Sequence, residues 1–148
     1  KTPFEAIKVG TGRRLVNGSD IAFLTLGPIG NYTTKAISSL SQQGVDAAHY
    51  DMRFAKPLDE VMLHEVFGKF KHVITVEDGC IQGGMGSAVL EFMADHGYAS
   101  KVKRMGIPDA YIEHGTQDEL YKECGFDVDG MVNAALELLG QSVQTQTA

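Results

Sequence analysis

Ile21-Ala22-Phe23-Leu24-Thr25-Leu26 is a run of six residues without a charge, closed abruptly by Gly27-Pro28. A strand with one wet face alternates apolar and polar residues. A run that is apolar on both parities belongs to a strand covered on both faces, as in the middle of a parallel sheet. Two shorter runs, Val45–Tyr50 and His72–Val76, have the same character, and stretches with helical periodicity separate them. Strands alternating with amphipathic helices specify an α/β chain with helices on both sides of a mostly parallel sheet.

The rest of the chain fits that scheme. Residues 1–12 read as an incoming linker with Pro3, Gly10 and Gly12; Arg13–Val16, the Asn17-Gly18-Ser19-Asp20 turn and Ile21–Leu26 read as a hairpin. Ile29, Thr33, Ala36, Ile37 and Leu40 share a helix face that stops at Gly44. Asp59 is placed to cap a helix buried through Met62, Leu63, Val66, Phe67 and Phe70. A third parallel strand ends at Glu77-Asp78-Gly79, and Gly83-Gly84-Met85-Gly86 opens the next helix. Val102–Met105 is a shorter strand, Thr116-Gln117-Asp118-Glu119 a capping box, and Asp129 the expected cap of the last helix. The expectation is a three-layer α/β/α domain over residues 13–140, with about five strands, one an antiparallel edge. Residues 141–148, polar and aperiodic, are expected to be a disordered tail. Because the chain opens on Lys1 rather than Met, it is expected to be processed or cut from a longer one.

Composition removes several classes of function. With a net charge of −6 and no dense basic run, the chain offers little to a nucleic acid or an anionic membrane surface. No apolar run approaches the roughly 20 residues that cross a bilayer. Cys80 and Cys124 are the only cysteines and lie far apart, so a disulfide framework is not expected and a cytoplasmic setting is. The five histidines show no metal-ligand spacing.

In an open α/β sheet, ligands bind beyond the carboxyl ends of the strands. That rule selects Asp51-Met52-Arg53-Phe54, Glu77-Asp78-Gly79 with the glycine loop after it, and Gly106-Ile107-Pro108-Asp109. The glycine loop is not a dinucleotide fingerprint. The third glycine of G-x-G-x-x-G is replaced by Val89, and Lys103 and Arg104 stand where an acid is needed. Its glycines serve close backbone approach and a helix start, or an anion at the helix N-terminus. Glu77 and Asp78, adjacent on an extended chain, point to opposite sides and are poorly placed as an acid/base pair; capping, a turn or an inter-domain ion pair suits them better. Cys80 reads as an ordinary loop cysteine. Arg53 has two uses: gripping a phosphate through paired hydrogen bonds, or pairing with Asp51, Asp59 or Glu77.

Asp51-Met52-Arg53-Phe54-Ala55-Lys56-Pro57-Leu58-Asp59 closely resembles the D-x-R-F-x-K-P-L-D segment of the 1-deoxy-D-xylulose-5-phosphate synthase family of transketolase-like enzymes. Val73–Glu77, Gly83-Gly84-Met85-Gly86-Ser87, Gly106-Ile107-Pro108-Asp109, His114-Gly115-Thr116-Gln117 and Gly125–Gly130 continue the likeness over about residues 13–140. The resemblance implies the C-terminal domain of a homodimeric parent that condenses pyruvate with glyceraldehyde 3-phosphate and releases carbon dioxide, feeding isoprenoid, thiamine and pyridoxal phosphate synthesis. It implies thiamine diphosphate and magnesium held by upstream domains, whose metal motif and activating glutamate have no counterpart here. The fragment is accordingly expected to bind no cofactor or metal and to be inactive alone. It also implies that this domain supports the dimer and lends Arg53 to the acceptor's phosphate. One departure is Glu77-Asp78-Gly79-Cys80, where the family commonly carries two carboxylates followed by asparagine or glycine. The corresponding domain of transketolase or of a 2-oxoacid dehydrogenase beta subunit is the nearest alternative, and a free-standing anion-binding or assembly module is another.

Overall fold

The computed structural model describes Phe4 and residues 6–141; the expected tail lies, apart from Gln141, outside the described residues. In chain order the elements are β1 (Arg13–Val16), β2 (Ile21–Leu26), α1 (Gly30–Gln42), β3 (Ala47–Asp51), α2 (Glu60–Lys69), β4 (His72–Cys80), α3 (Met85–Asp95), β5 (Lys101–Ile107), α4 (Gln117–Glu123) and α5 (Val128–Leu138). The strands form one sheet in the order β1-β3-β2-β4-β5, all parallel except β1, which runs antiparallel at the edge. The expected three-layer architecture is present.

Two cores explain the apolar runs. Ile21, Phe23, Ile74 and Val76 pack toward α1, α4 and α5. Their neighbours Ala22, Leu24 and Val73 pack toward α2 and α3. Both parities of β2 are needed because both faces are covered. The helix ends follow side-chain chemistry. Asp59 accepts from Met62 N–H at 3.0 Å, and Thr116 and Glu119 close a reciprocal capping box. In the last helix the cap is Asp127, which accepts from Gly130 N–H at 2.9 Å, rather than Asp129, which sits inside the first turn.

The expected hairpin is absent: β1 pairs with β3, not with β2. Asn17–Asp20 does not fold back on itself but crosses over the start of β3. Ser19 and Asp20 N–H donate to the Asp46 carbonyl at 3.0 and 2.9 Å, and Asp46 N–H donates to Asp20 Oδ2 at 2.8 Å. Gly18 is required by this crossing, because a Cβ there would lie 2.3 Å from the Ala47 carbonyl carbon and Ala48 nitrogen. The ends of β4 and β5 also run further than their patterns suggest. After a register irregularity beyond Val76, Cys80 pairs with Ile107. Gly106 permits this, since its Cβ would meet the Gly79 and Glu77 carbonyl oxygens at 2.8 and 2.9 Å.

His49, on β3, is fully buried beside Thr25, with Nε2 and the Thr25 hydroxyl 2.9 Å apart. Burial pushes its pKa down to about 4. The unfolded chain therefore takes up a proton near pH 6.5 that the folded chain refuses until about pH 4. Stability contributed by neutral His49 is complete above pH 6.5 and is lost as pH falls toward 4, by up to about 3 kcal/mol. Urea denaturation at pH 7 and pH 4.5 should show this loss, and His49→Gln should flatten it; an unchanged slope in the variant would assign the acid sensitivity elsewhere. The glycines make a second test. Gly18→Ala should cost about 2 kcal/mol or more through backbone overlap. Gly68→Ala, which meets nothing within 4 Å on α2, should raise stability by about 0.5 kcal/mol.

Candidate functional site

The parallel strands bring the three segments singled out in the sequence to one rim of the sheet, at their carboxyl ends: Arg53 after β3, Glu77–Cys80 at the end of β4, and Gly106–Asp109 at the end of β5. β2 lies between β3 and β4, so Arg53 and Glu77 stand two strands apart, roughly 10 Å.

Arg53 is half-buried and has φ +57°, the single non-glycine residue in the left-handed region among the described residues. Its N–H donates to Asp51 Oδ1 at 3.1 Å, and Phe54 N–H donates across it to the Met52 carbonyl at 2.6 Å. This is a tight three-residue turn that a side chain other than glycine occupies at a cost of order 1–3 kcal/mol. The three carboxylates that could pair with its guanidinium are engaged elsewhere. Asp51 holds Arg13 at 3.0 Å, and Asp59 accepts from Gly12 N–H at 2.8 Å and from Met62. Glu77 serves α3. Among the described residues the Arg53 guanidinium has no hydrogen-bonding or ionic partner.

Glu77 is 6% exposed and faces the α3 side of the sheet. Its two oxygens accept from Met85 and Gly86 N–H at 2.7 and 2.8 Å. These are otherwise orphaned donors of the first turn, so the carboxylate satisfies them and meets the positive end of the helix dipole. The helix N-terminus after the glycine loop thus carries the protein's own anion, and the loop's glycines serve close approach. A Cβ on Gly84 would lie 2.4 Å from Glu77 Oε2 and from the Cys80 carbonyl oxygen, and one on Gly86 would lie 2.5 Å from Thr75 Oγ1. Arg104 on β5 fixes the loop from the side, donating to the Ile81 carbonyl at 2.8 Å and to Ser87 Oγ at 2.7 Å. Nothing in the local pattern of Lys101–Met105 signals that use of Arg104, because its partners come from a separate loop.

Asp78 points to the opposite face, as alternation requires. It accepts from the Tyr121 hydroxyl at 2.7 Å, and Tyr121 accepts from Gln117 Nε2 at 2.8 Å. Burial, reinforced by Asp78, pushes the Tyr121 phenol well above its ordinary range. Tyr32, which donates to Asp118, stands edge-on to Tyr121 at 5.1 Å. Beneath this chain lies a cavity of about 410 Å³ between the ends of β4 and β5 and α4. Cys124 lines it, its thiol pushed up by burial; Cys80 is exposed at the end of β4.

The described residues contain no group of three or more His, Cys, Asp or Glu able to hold a metal ion. No described helix is long and apolar enough to cross a membrane. Thr25 and His49 form a hydroxyl–imidazole pair, but both are sealed from solvent and cannot meet a substrate. What the rim offers chemically is an unpaired guanidinium at the β3 end and a carboxylate-lined cavity at the β4–β5 end.

Comparison with known proteins agrees with this architecture. The family described as transketolase, C-terminal domain, matches residues 10–131. A 1-deoxy-D-xylulose-5-phosphate synthase of Cytophaga hutchinsonii is 56% identical over 140 residues, which cover 95% of this chain and 22% of that protein. The synthase of the same name from Bacteroides thetaiotaomicron is 56% identical over 138 residues, 93% of this chain and 21% of its own length. The chain thus spans about a fifth of these relatives. A solved structure described as a split gene transketolase, inactive beta4 tetramer, superimposes with a TM-score of 0.84 at 27% identity, covering 97% of this chain and 46% of its own.

Because Glu77 satisfies two buried donors with a charged acceptor, Glu77→Ala should cost about 2–4 kcal/mol in chemical denaturation. Glu77→Gln keeps one acceptor oxygen but sets an amide N–H₂ against the other main-chain donor, so it should recover little of that loss. A loss below about 0.5 kcal/mol for the alanine variant would show that water replaces the carboxylate without penalty.

Proposed function

Since the chain belongs to the transketolase C-terminal domain family, we propose that it is the C-terminal domain of a 1-deoxy-D-xylulose-5-phosphate synthase and that Arg53 is its contribution to substrate binding. The observation that carries the first part is 56% identity over 95% of the chain to proteins of that name. In this reading the parent condenses pyruvate with glyceraldehyde 3-phosphate, works as a homodimer in the cytoplasm, and draws on this domain for packing against its other domains.

Thiamine diphosphate with Mg²⁺ would supply the electron sink of that reaction, bound by parts of the protein outside this chain. The described residues do not suit those groups. The helix start that could take a diphosphate is filled by Glu77, and no carboxylate cluster faces the rim beside it. On its own, this domain would therefore turn over no substrate.

Arg53 supports the second part through two features: a guanidinium without a partner among the described residues, and a backbone held in an unfavourable region to present it. A remote phosphate gripped there would orient the acceptor aldehyde without touching the reacting carbons. In the full-length synthase, Arg53→Ala should raise KM for glyceraldehyde 3-phosphate about 10- to 100-fold, as loss of charge-assisted hydrogen bonds implies, and leave KM for pyruvate nearly unchanged. Arg53→Gly separates binding from folding, because it relieves the left-handed φ; it should match Ala in KM and exceed it in stability. Equal effects on both substrates would reassign Arg53 to an ion pair with a neighbouring domain. Synthase activity from the 148-residue chain alone would overturn the domain reading.

A further inference from the structure

We propose that the cavity at the β4–β5 end of the rim is a binding site for a small organic cation, an ammonium group carried on a short apolar body. This inference does not depend on the parent reaction or on Arg53. At about 410 Å³ the cavity falls in the range that holds small ligands, and it lies where parallel sheets place them, beyond the strand ends.

Its two chemical halves define the occupant. Ile107, Ile112, Leu120 and Phe126 make an apolar wall. Cys124 extends that wall as a neutral thiol, and burial pushes its pKa further up. The polar side chains opposite are arranged as acceptors. The Tyr121 proton is committed to Asp78, and Gln117 has turned its amide nitrogen toward Tyr121. Free acceptor capacity remains on the Asp78 carboxylate, the Gln117 carbonyl and Glu113, whose carboxylate has no partner among the described residues. Among the described residues no Lys, Arg or His lines the cavity. Two uncompensated carboxylates above an apolar wall repel phosphates and carboxylates and favour a donor-rich cation with a hydrophobic tail. The rim is thereby divided by charge, with the unpaired Arg53 guanidinium at the β3 end and the Asp78 and Glu113 carboxylates at the other.

Three probes with one carbon skeleton test the assignment: n-hexylamine, hexan-1-ol and hexanoate, titrated into the ¹⁵N-labelled chain at pH 7. Hexylamine should give saturable shifts at the amides of Ile107, Ile112, Leu120 and Cys124, hexan-1-ol weaker ones, and hexanoate none. Asp78→Asn keeps an acceptor for Tyr121, and Glu113→Gln changes an exposed loop residue with no hydrogen bond. Each should weaken hexylamine binding about threefold, and the double variant about tenfold. Several results would overturn the proposal: no saturable shift with hexylamine, equal affinity for the alcohol, or undiminished amine binding in the double variant.

Discussion

The contact on which this rim depends is a buried carboxylate between a strand end and a helix start. Glu77 leaves β4 pointing at α3, and both of its oxygens are taken by main-chain N–H groups. A carboxylate in that position demands room. Gly84 gives it, since a methyl group there would collide with the carboxylate itself; Gly86 and Gly106 relieve separate close approaches, to the Thr75 hydroxyl and to the Gly79 and Glu77 carbonyl oxygens. Arg104 then ties the intervening loop to β5. The charge–dipole contact thus accounts for Gly84, while Gly86, Gly106 and Arg104 hold the loop and strand ends around it.

With the α3 N-terminus met internally, Arg53 and the cavity carboxylates are the charged groups the two ends of the rim present. At the β3 end, Asp51 and Asp59 hold Arg13, backbone donors and the turn itself, so the guanidinium of Arg53 stays unpaired. At the β4–β5 end, Asp78 satisfies Tyr121, and no basic residue among those described lines the cavity. Strain at Arg53 is the kind of local cost that a fold carries where it meets something else.

Much of this was legible in the residues. Both-parity apolar runs marked β2 and β4 as interior strands, and strand alternation put Glu77 and Asp78 on opposite faces. The caps at Asp59 and Thr116 followed from chemistry within four residues. What escaped was non-local. Asn17-Gly18-Ser19-Asp20 has the composition of a hairpin turn, yet Gly18 is there because β3, nearly 30 residues on, passes too close for a side chain. The lengths of β4 and β5 were under-read because pairing beyond Val76 depends on Gly106 across the sheet. Choosing Asp127 over Asp129 as the last cap required the backbone itself. Arg53 was identified as a candidate, but its freedom from Asp51, Asp59 and Glu77 could be seen only once each carboxylate had been traced to its partner.

The antiparallel placement of β1 also sets an order of events during synthesis. Arg13 meets Asp51 across the sheet, 38 residues later in the chain. At ribosomal speeds that partner emerges roughly 2 to 8 seconds after β1 does. Through that interval β1 lacks its partner strand within this domain. Arg13 and Arg14, charged residues of the kind that blunt a sheet edge, find their carboxylates, Asp51 and Glu65, only after those residues have emerged too.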